Sequence, residues 1–338
     1  MKDISTDSSK EKTSPYRSGI IPATYHLKGA LSKGKSKDTN LFHSPCDKLY
    51  VQGNGELDLH CLETYRSTQP IGFLRGFSSF KSFRFHVLNA DVFVYQNPRS
   101  YQLQLNPSQF RSYALLKAVL QLFLKEKFNE AVIFKIHVFT DIRQRLIDVE
   151  KSITVSFKRK TSKYKPAERR TAKSGVTDGI SFTLGIGSDN LDCIKIYNST
   201  TKHGLPDPST RIERQFSKAR VCPIKKLSEL PQLANFNPFT NVHLNKVIDS
   251  SELKGIHLVR YKLLTCLCHK KSLHESMAEL RRDNPKHFVR DYRRVLDLLH
   301  RTDLNLFTDY QKKWKSFLRK RLTKKEIDTL RLMGGSDV

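Results

Sequence analysis

The sequence predicts an α+β protein, in which a mostly antiparallel sheet with one long packed helix is followed by a helical C-terminal domain. Short runs that alternate apolar and polar residues recur between about residues 49 and 216, as half-buried strands do. One stretch among them, at 107–128, has apolar residues near helical spacing, and several helix-start signals follow residue 250. We therefore expect a disordered basic tail at 1–44, a sheet-based domain at 45–220 and a helical domain at 221–338.

The net charge restricts the class of partner. The 338 residues include 60 Lys and Arg against 33 Asp and Glu, for a formal net charge of +27. A polyanion is the expected partner, because neutralising phosphates releases counterions and drives sequence-independent binding. No apolar run approaches the ~18 residues of a membrane span, which favours nucleic acid over a membrane. The polar N-terminus lacks a signal-peptide core, and six cysteines in this length do not indicate a disulfide framework, so we expect a cytoplasmic protein.

The first part of the predicted sheet domain alternates strands with one helix. Strand-like runs begin at Leu49, and the run at 101–105 leads into a helix start. Asn106 is a good N-cap, and Pro107 suits the first helical position, where its missing N–H has no partner to lose. Residues 131–138 then read as a buried strand, and 145–150 as the next candidate strand.

Three short runs between 179 and 216 carry the side chains that are candidates for catalysis. They cover 180–186, 193–197 and 211–216, separated by turn and breaker residues. Since successive side chains of a strand point to opposite faces, Tyr197 shares a face with Lys195, and Arg211 with Glu213. If the runs pair as a meander, these four side chains lie on one polar sheet face. A tyrosine, a carboxylate and two cations held there could perform phosphoryl chemistry; an ordinary solvated sheet face is the alternative.

A dense run of positive charge lies just before these strands, at 158–173. It holds eight Lys and Arg residues against one Glu. Such a run is typical of a solvated loop, but it becomes the tip of a basic β-hairpin if the strands on either side pair. A ribbon of that kind fits the major groove of DNA or clamps backbone phosphate. Its candidate DNA-binding residues are Lys158, Arg159, Lys160, Lys163, Lys165, Arg169, Arg170 and Lys173.

The region after about residue 250 reads as a set of helices. Ser272 and Glu275 match a capping box, as do Thr323 and Glu326. This region could read a DNA sequence, dimerise or cover one face of the sheet. Residues 266–269 (Cys-Leu-Cys-His) invite a zinc interpretation, but they lack a second ligand pair and fall on a predicted helix.

Several of these motifs together resemble those of the rolling-circle replication initiators of plasmids and filamentous phages, both the gene-II type and the Gram-positive plasmid type. That family has a Gly-Ser turn after a strand, an apolar-basic-apolar-Tyr-Asn strand end and an Arg-apolar-Glu strand. Here, in the same order, come 187–188 (Gly-Ser), 194–198 (Ile-Lys-Ile-Tyr-Asn) and 211–213 (Arg-Ile-Glu). The strand, Asn-Pro-Ser cap and helix at 101–128 are similar to the family pattern as well.

The resemblance implies a DNA-nicking site. According to this resemblance, Tyr197 is the nucleophile that attacks a phosphodiester, while Lys195 and Arg211 steady the phosphate. Asp148 and Glu213 are the implied metal-side acids, and Mg²⁺ or Mn²⁺ is the implied cofactor. A hard cation takes carboxylate oxygens, and its charge assists a phenol whose ordinary pKa is near ~10.

One carboxylate motif departs from the family pattern. The family's Arg-apolar-Asp strand fits Arg145 and Asp148 only if one extra residue, Leu146, is allowed for. Plasmid-type members often have a second Asp four residues later, where this chain has Ser152. Glu150, on the same predicted strand face as Asp148, is the candidate substitute, with a solvated edge charge as the alternative.

The implied function is a replication initiator that nicks origin DNA to begin rolling-circle replication of a plasmid or phage. Its implied partner is origin DNA, single- and double-stranded, with a host helicase and a second copy of the chain as further candidates. Two other interpretations stay open: a basic nucleic-acid-binding protein without catalysis, and a metal-dependent hydrolytic endonuclease. The first leaves DNA uncut, and the second leaves no protein on the cut strand.

Overall fold

The computed structural model of this chain describes residues 43–67, 81–155, 163–166, 179–183, 192–200, 207–217, 222–245, 248–269, 271–299 and 305–335, with backbone alone at 163–166 and 179–183. All of them belong to one compact unit, Thr39–Val338, which is distinct from Met1–Asp38. The tail predicted at 1–44 lies almost wholly outside the described residues. The domain boundaries near residues 45 and 220 stay a prediction.

Within the described residues, the main element is a nine-stranded sheet in the order β2-β3-β4-β1-β5-β10-β9-β8-β7, with every neighbouring pair antiparallel. A second, two-stranded sheet pairs β6 with β11. The strands are β1 (Cys46–Asn54), β2 (Lys81–Val87), β3 (Ala90–Asn97), β4 (Ser100–Leu105), β5 (Val132–Ile142), β6 (Ile153–Val155), β7 (Lys163–Pro166), β8 (Gly179–Thr183), β9 (Asp192–Asn198), β10 (Thr210–Phe216) and β11 (Val242–Leu244).

The predicted meander is confirmed, because β8, β9 and β10 are consecutive neighbours in the large sheet. Beyond them β10 pairs with β5, which places the end of the meander at the centre of the sheet. The strand at 131–138 is longer than predicted, since β5 continues to Ile142. That extension brings four more residues alongside β10.

Helix α1 (Tyr113–Leu124) packs its apolar stripe on one face of the sheet. Leu116, Val119 and Phe123 are buried there, and the Phe123 ring meets Phe85 of β2 edge-on. The helix was predicted to begin at residue 107 and begins later. Asn106 caps only one 3₁₀ turn, Pro107–Gln109, and the Ser112 side chain accepts the Leu115 N–H to begin the α-helix.

The helical C-terminal region is confirmed by five of the described helices. In chain order, the remaining described α-helices are α2 (Leu146–Glu150), α3 (Gly255–Cys268), α4 (Leu273–Asp283), α5 (Phe288–Leu299), α6 (Leu306–Arg319) and α7 (Lys324–Leu332). Both predicted capping boxes are present: Ser272 with Glu275 begins α4, and Thr323 with Glu326 begins α7. None of the helices in the described part of the chain is long and apolar enough to cross a membrane.

These helices divide between two apolar clusters. Helices α3, α4 and α5 surround their own cluster, which includes Leu264, Leu280 and Val295. Helices α6 and α7 instead contribute to the cluster under the sheet, through Trp314, Phe317 and Leu330. The last two helices therefore extend the core that α1 builds against the sheet.

Candidate functional site

The strand pair β9–β10 brings four of the predicted site residues together. Tyr197 lies directly opposite Arg211, and Lys195 directly opposite Glu213. Directly opposed residues of an antiparallel pair project from the same face of the sheet. The four side chains thus share one face, as the alternation of the sequence predicts.

The environment of that face differs from the solvated surface expected. Tyr197 is 6% exposed, Glu213 3% and Arg211 0%, whereas Lys195 is exposed. Burial on this scale requires that each polar atom find a partner within the protein. The solvated-face alternative is therefore wrong for three of the four residues.

Glu213 is the centre of a buried hydrogen-bond cluster. The Tyr197 hydroxyl donates to Glu213 Oε2 at 2.7 Å, and Gln215 Nε2 donates to Oε1 at 2.5 Å. His137 of β5 places Nδ1 2.9 Å from the same Oε1. Phenol, amide and imidazole thus converge on one carboxylate from three neighbouring strands.

The cluster fixes the protonation states of its members. Burial, followed by the charge of Glu213, raises the pKa of Tyr197 far above its ordinary value, so the phenol stays protonated. Burial alone would raise the pKa of Glu213, but contacts with His137, Gln215 and Tyr197 bring it well below its ordinary value. Burial also lowers the pKa of His137, which leaves a neutral ring beside the carboxylate. The cluster thus holds one negative charge, on Glu213.

Arg211 lies in a second buried cluster next to the first. Its Nε and Nη2 donate to Oδ1 and Oδ2 of Asp141 at 2.8 and 3.2 Å. Its Nη1 is 3.7 Å from Asp47 Oδ1, and its guanidinium lies 3.6 Å from the centroid of the Phe139 ring. Lys313 of α6 adds a second cation, 3.6 Å from Asp141 Oδ2. The charge of Arg211 nevertheless acts on Tyr197, since it opposes the rise of the phenol pKa.

Three of these partners, His137, Asp141 and Asp47, are absent from the site that the sequence predicts. The alternation of β5 contained the signal for two of them. Continued past Val138, it places His137, Phe139 and Asp141 on one face, opposite Gln215, Glu213 and Arg211. Asp47 has no comparable signal, because a bulge in β1 between Cys46 and Lys48 sets its direction.

Asp148 and Glu150 lie elsewhere than predicted, on a helix and not on a strand. Residues 146–150 form the short helix α2, which follows the end of β5. Residues two apart on a helix do not share a face, so Glu150 is not beside Asp148 as predicted. Asp148 is exposed and accepts two hydrogen bonds from Arg145, at 2.9 and 3.3 Å. Ser152 donates its hydroxyl to the carbonyl of Val149.

The described residues do not assemble a metal site from these carboxylates. Across that part of the chain, no group of three or more His, Cys, Asp and Glu side chains is placed to hold a metal ion. Glu213 already receives Tyr197 and Gln215, and the space between Asp47 and Asp141 is taken by Arg211. Cys266 and Cys268 are among these described residues, and they do not belong to such a group.

A patch of positive charge extends the site toward β1. Lys135 of β5 is half-buried and has its pKa lowered, first by burial and then by the charges of Lys48 and Lys195. Both of those lysines are exposed. The Lys135 ammonium lies 4.9 Å from the centroid of the Tyr50 ring. Three lysines from three strands therefore place positive potential on the sheet face that holds the Glu213 cluster.

The basic run at 158–173 is described only in part. Backbone pairing places Lys163 opposite Thr183 and Lys165 opposite Ser181, so these two belong to an antiparallel strand pair. The other six candidates, Lys158, Arg159, Lys160, Arg169, Arg170 and Lys173, lie outside the described residues.

Comparisons with known proteins add a structural likeness. No protein-family model matches the chain, and no curated protein matches it. Among solved structures, it is similar to a rolling circle replication initiator protein from Geobacillus stearothermophilus, with a TM-score of 0.35 and 16% sequence identity, over 60% of this chain and 86% of that chain. A likeness of this size carries no argument about function, which has to come from the residues.

Proposed function

We propose that this protein is a DNA-binding replication initiator that nicks one DNA strand through Tyr197. The observation that carries the proposal is the 2.7 Å hydrogen bond from the Tyr197 hydroxyl to Glu213, on a strand pair whose motifs resemble those of rolling-circle initiators. A phenol bonded to a carboxylate, with an arginine opposite it and a lysine patch nearby, supplies a nucleophile, a proton acceptor and positive charge. The net charge of +27 makes DNA the natural polyanion.

The reaction follows from these groups. The Tyr197 oxygen attacks a backbone phosphorus and its proton passes to the Glu213 carboxylate. The new bond joins the phenolic oxygen to phosphorus, and the bond from phosphorus to the 3′ oxygen breaks. That oxygen takes up the proton that Glu213 accepted and leaves as a 3′-hydroxyl, which restores the carboxylate, and the protein stays attached to the 5′ phosphate. Exposed Lys195 contacts the phosphate, while Arg211, held by Asp141 on the same sheet face, favours the phenolate through its positive charge.

The predicted Mg²⁺ or Mn²⁺ enters this proposal only as a component of the assay. The described carboxylates do not supply a three-ligand group, so no step is assigned to an ion. The protein acts in the cytoplasm and binds single- and double-stranded origin DNA. A host helicase and a second copy of the chain remain predicted partners.

A second function is favoured by the burial of the same tyrosine. Tyr197 is 6% exposed and its pKa is raised by that burial, both of which oppose attack on a large substrate. A hydroxyl held in this way is also an ordinary structural hydrogen-bond donor. On this alternative the protein grips nucleic acid through its positive charge and cuts nothing.

A relaxation assay separates the two functions. Supercoiled DNA carrying the protein's own origin is incubated with protein and Mg²⁺ or Mn²⁺, with EDTA in a parallel arm. Nicking by Tyr197 predicts open circles with protein attached to the 5′ end, and loss of both in Tyr197→Phe. Tyr101→Phe, at another buried tyrosine of the large sheet, is the matched control and keeps full activity.

Each other outcome contradicts the proposal in a distinct way. Equal relaxation by wild type and Tyr197→Phe removes Tyr197 from the chemistry. Relaxation without attached protein indicates a hydrolytic endonuclease. Binding without relaxation by wild type supports the non-catalytic alternative.

A further inference from the structure

Helix α6 has two faces of opposite character. One side presents Tyr310, Trp314 and Phe317, all fully buried in the core beneath the sheet. Their spacing of four and three residues is that of a single helical stripe. The buried stripe fixes the rotation of the helix, and therefore determines which residues face outward.

The outward side is a basic groove. It is lined by Lys312, Lys315, Ser316, Arg319 and Lys320, which enclose an open cavity of about 410 Å³. The first four are exposed and recur at three- and four-residue spacing, so they form a second stripe along the helix. The groove thus combines four cations with one hydroxyl.

The cations of this groove are not paired within the described part of the chain. Lys312, Lys315, Arg319 and Lys320 form no ion pair there, whereas Lys313 on the same helix lies 3.6 Å from Asp141. Lys315 and Arg319 are four residues apart on the helix, so their like charges repel each other, and a bound anion relieves that repulsion.

The positive potential reaches beyond the helix. The pKa of His43 is lowered, first by burial and then by the charges of Lys320 and Arg111. Arg111 bonds to Glu326, but Lys320 has no such partner within the described residues. Lys320, directly after α6, thus carries the positive potential of the groove to His43.

We propose that the basic groove of α6 binds the phosphate backbone of nucleic acid, as a second contact separate from the Tyr197 site. Lys312 to Arg319 spans about 10 Å along the helix axis at 1.5 Å per residue. One strand of B-DNA presents a phosphate about every 3.4 Å of axis, so the stripe matches roughly three of them. The Ser316 hydroxyl adds a hydrogen bond to a phosphate oxygen.

An anionic membrane is the less suitable partner for this groove. Helices that lie on membranes bury an apolar face among the lipids while their cations meet the headgroups. The apolar face of α6 is already buried in the core of this protein. The residues that line the groove are four cations and one serine, and none of them is an apolar residue that could insert among lipids, so backbone phosphate is the better match.

The test compares two triple variants of the full chain that lose the same charge. Lys312→Gln, Lys315→Gln and Arg319→Gln neutralise the groove, while Arg281→Gln, Arg282→Gln and Arg293→Gln neutralise exposed arginines of α4 and α5. Binding of a fluorescent duplex of arbitrary sequence is measured by anisotropy from about 50 to 300 mM salt. Unchanged circular dichroism and melting temperature verify that both variants fold.

The groove variant is expected to bind about tenfold more weakly at 100 mM salt, and its slope of log K against log salt falls by about 2–3. The control variant changes each quantity by less than half as much. Equal losses in the two variants overturn the proposal, because net charge alone then explains binding. Unchanged DNA binding of the groove variant also overturns the proposal. Binding to phosphatidylserine vesicles is measured in parallel, and loss of that binding alone indicates that the groove binds an anionic membrane instead. Binding of this duplex requires no strand cleavage, so failure of the nicking proposal in the relaxation assay is distinguishable from failure of this one.

Discussion

Arg211 and Asp141 form a two-point ion pair across strands β10 and β5, with hydrogen bonds of 2.8 and 3.2 Å and the arginine fully buried. The same geometry occurs on the surface, where Arg145 bonds to both oxygens of Asp148 at 2.9 and 3.3 Å. The two pairs share their bonding geometry and differ in burial, in sequence separation (three residues against 70) and in the further contacts of Arg211 with Asp47 and Phe139. In a low dielectric an ion cannot recover its lost hydration from water, so each ion of the buried pair depends on the other.

Asp141→Asn is expected to destabilise the protein by about 3 kcal/mol, because Arg211 is left with an incomplete set of negative partners in the core. Asp148→Asn is the control and is expected to change stability by less than about 1 kcal/mol. Urea unfolding followed by circular dichroism measures both. Equal losses in the two variants contradict the role given to burial.

Gly53 of β1 lies where a larger side chain would clash with a neighbouring strand. Its backbone φ lies outside the left-handed region, so conformation does not demand glycine here. The demand is for space: a Cβ would lie 2.3 Å from the hydroxyl oxygen of Tyr101, which sits directly opposite in β4. Gly53→Ala is expected to destabilise by about 1–3 kcal/mol through overpacking.

A double-mutant cycle checks the cause of that loss. Tyr101→Leu removes the ring that the new methyl meets, so the loss caused by Gly53→Ala becomes smaller in that background, with a coupling above about 0.5 kcal/mol. Asn54→Ala, at the next and exposed position, is the neutral control. Additive losses in the cycle contradict the steric explanation.

The sequence predicts the faces of this site better than their surroundings. Alternation alone places Tyr197 with Lys195 and Arg211 with Glu213, and the strand register agrees. It does not reveal that the face is buried, because the partner of Arg211 in β5 lies 70 residues away. Long-range strand order decides burial, and no local pattern encodes that order.

In short segments, the sequence pattern does not distinguish a strand from a helix. Residues 145–150 contain apolar residues at 146, 147 and 149, a set too short to separate strand from helix. The structure forms a single helical turn there, which moves Asp148 onto the surface. Capping boxes are more reliable, since Ser272 and Thr323 carry their own hydrogen-bond chemistry and both begin helices as predicted.

Glu326 predicts a specific dependence of stability on pH. It accepts two hydrogen bonds from Arg111, at 3.0 and 2.7 Å, and these contacts lower the pKa of the carboxyl to about 2. In the unfolded chain the pKa of a glutamate is about 4.3. The folded state therefore holds its proton less tightly, so the ion pair stabilises the protein above pH ~4.3 and the contribution is lost as pH falls toward 2.

Glu326→Gln removes the charge while glutamine still fits the capping box with Thr323. We expect the variant to be about 1 kcal/mol less stable at pH 7, with the difference constant down to about pH 5 and then shrinking. Melting temperatures of both proteins between pH 2.5 and 7 give that difference directly. A gap that stays constant over the whole range shows that packing, and not the charge on Glu326, joins α7 to the segment before α1.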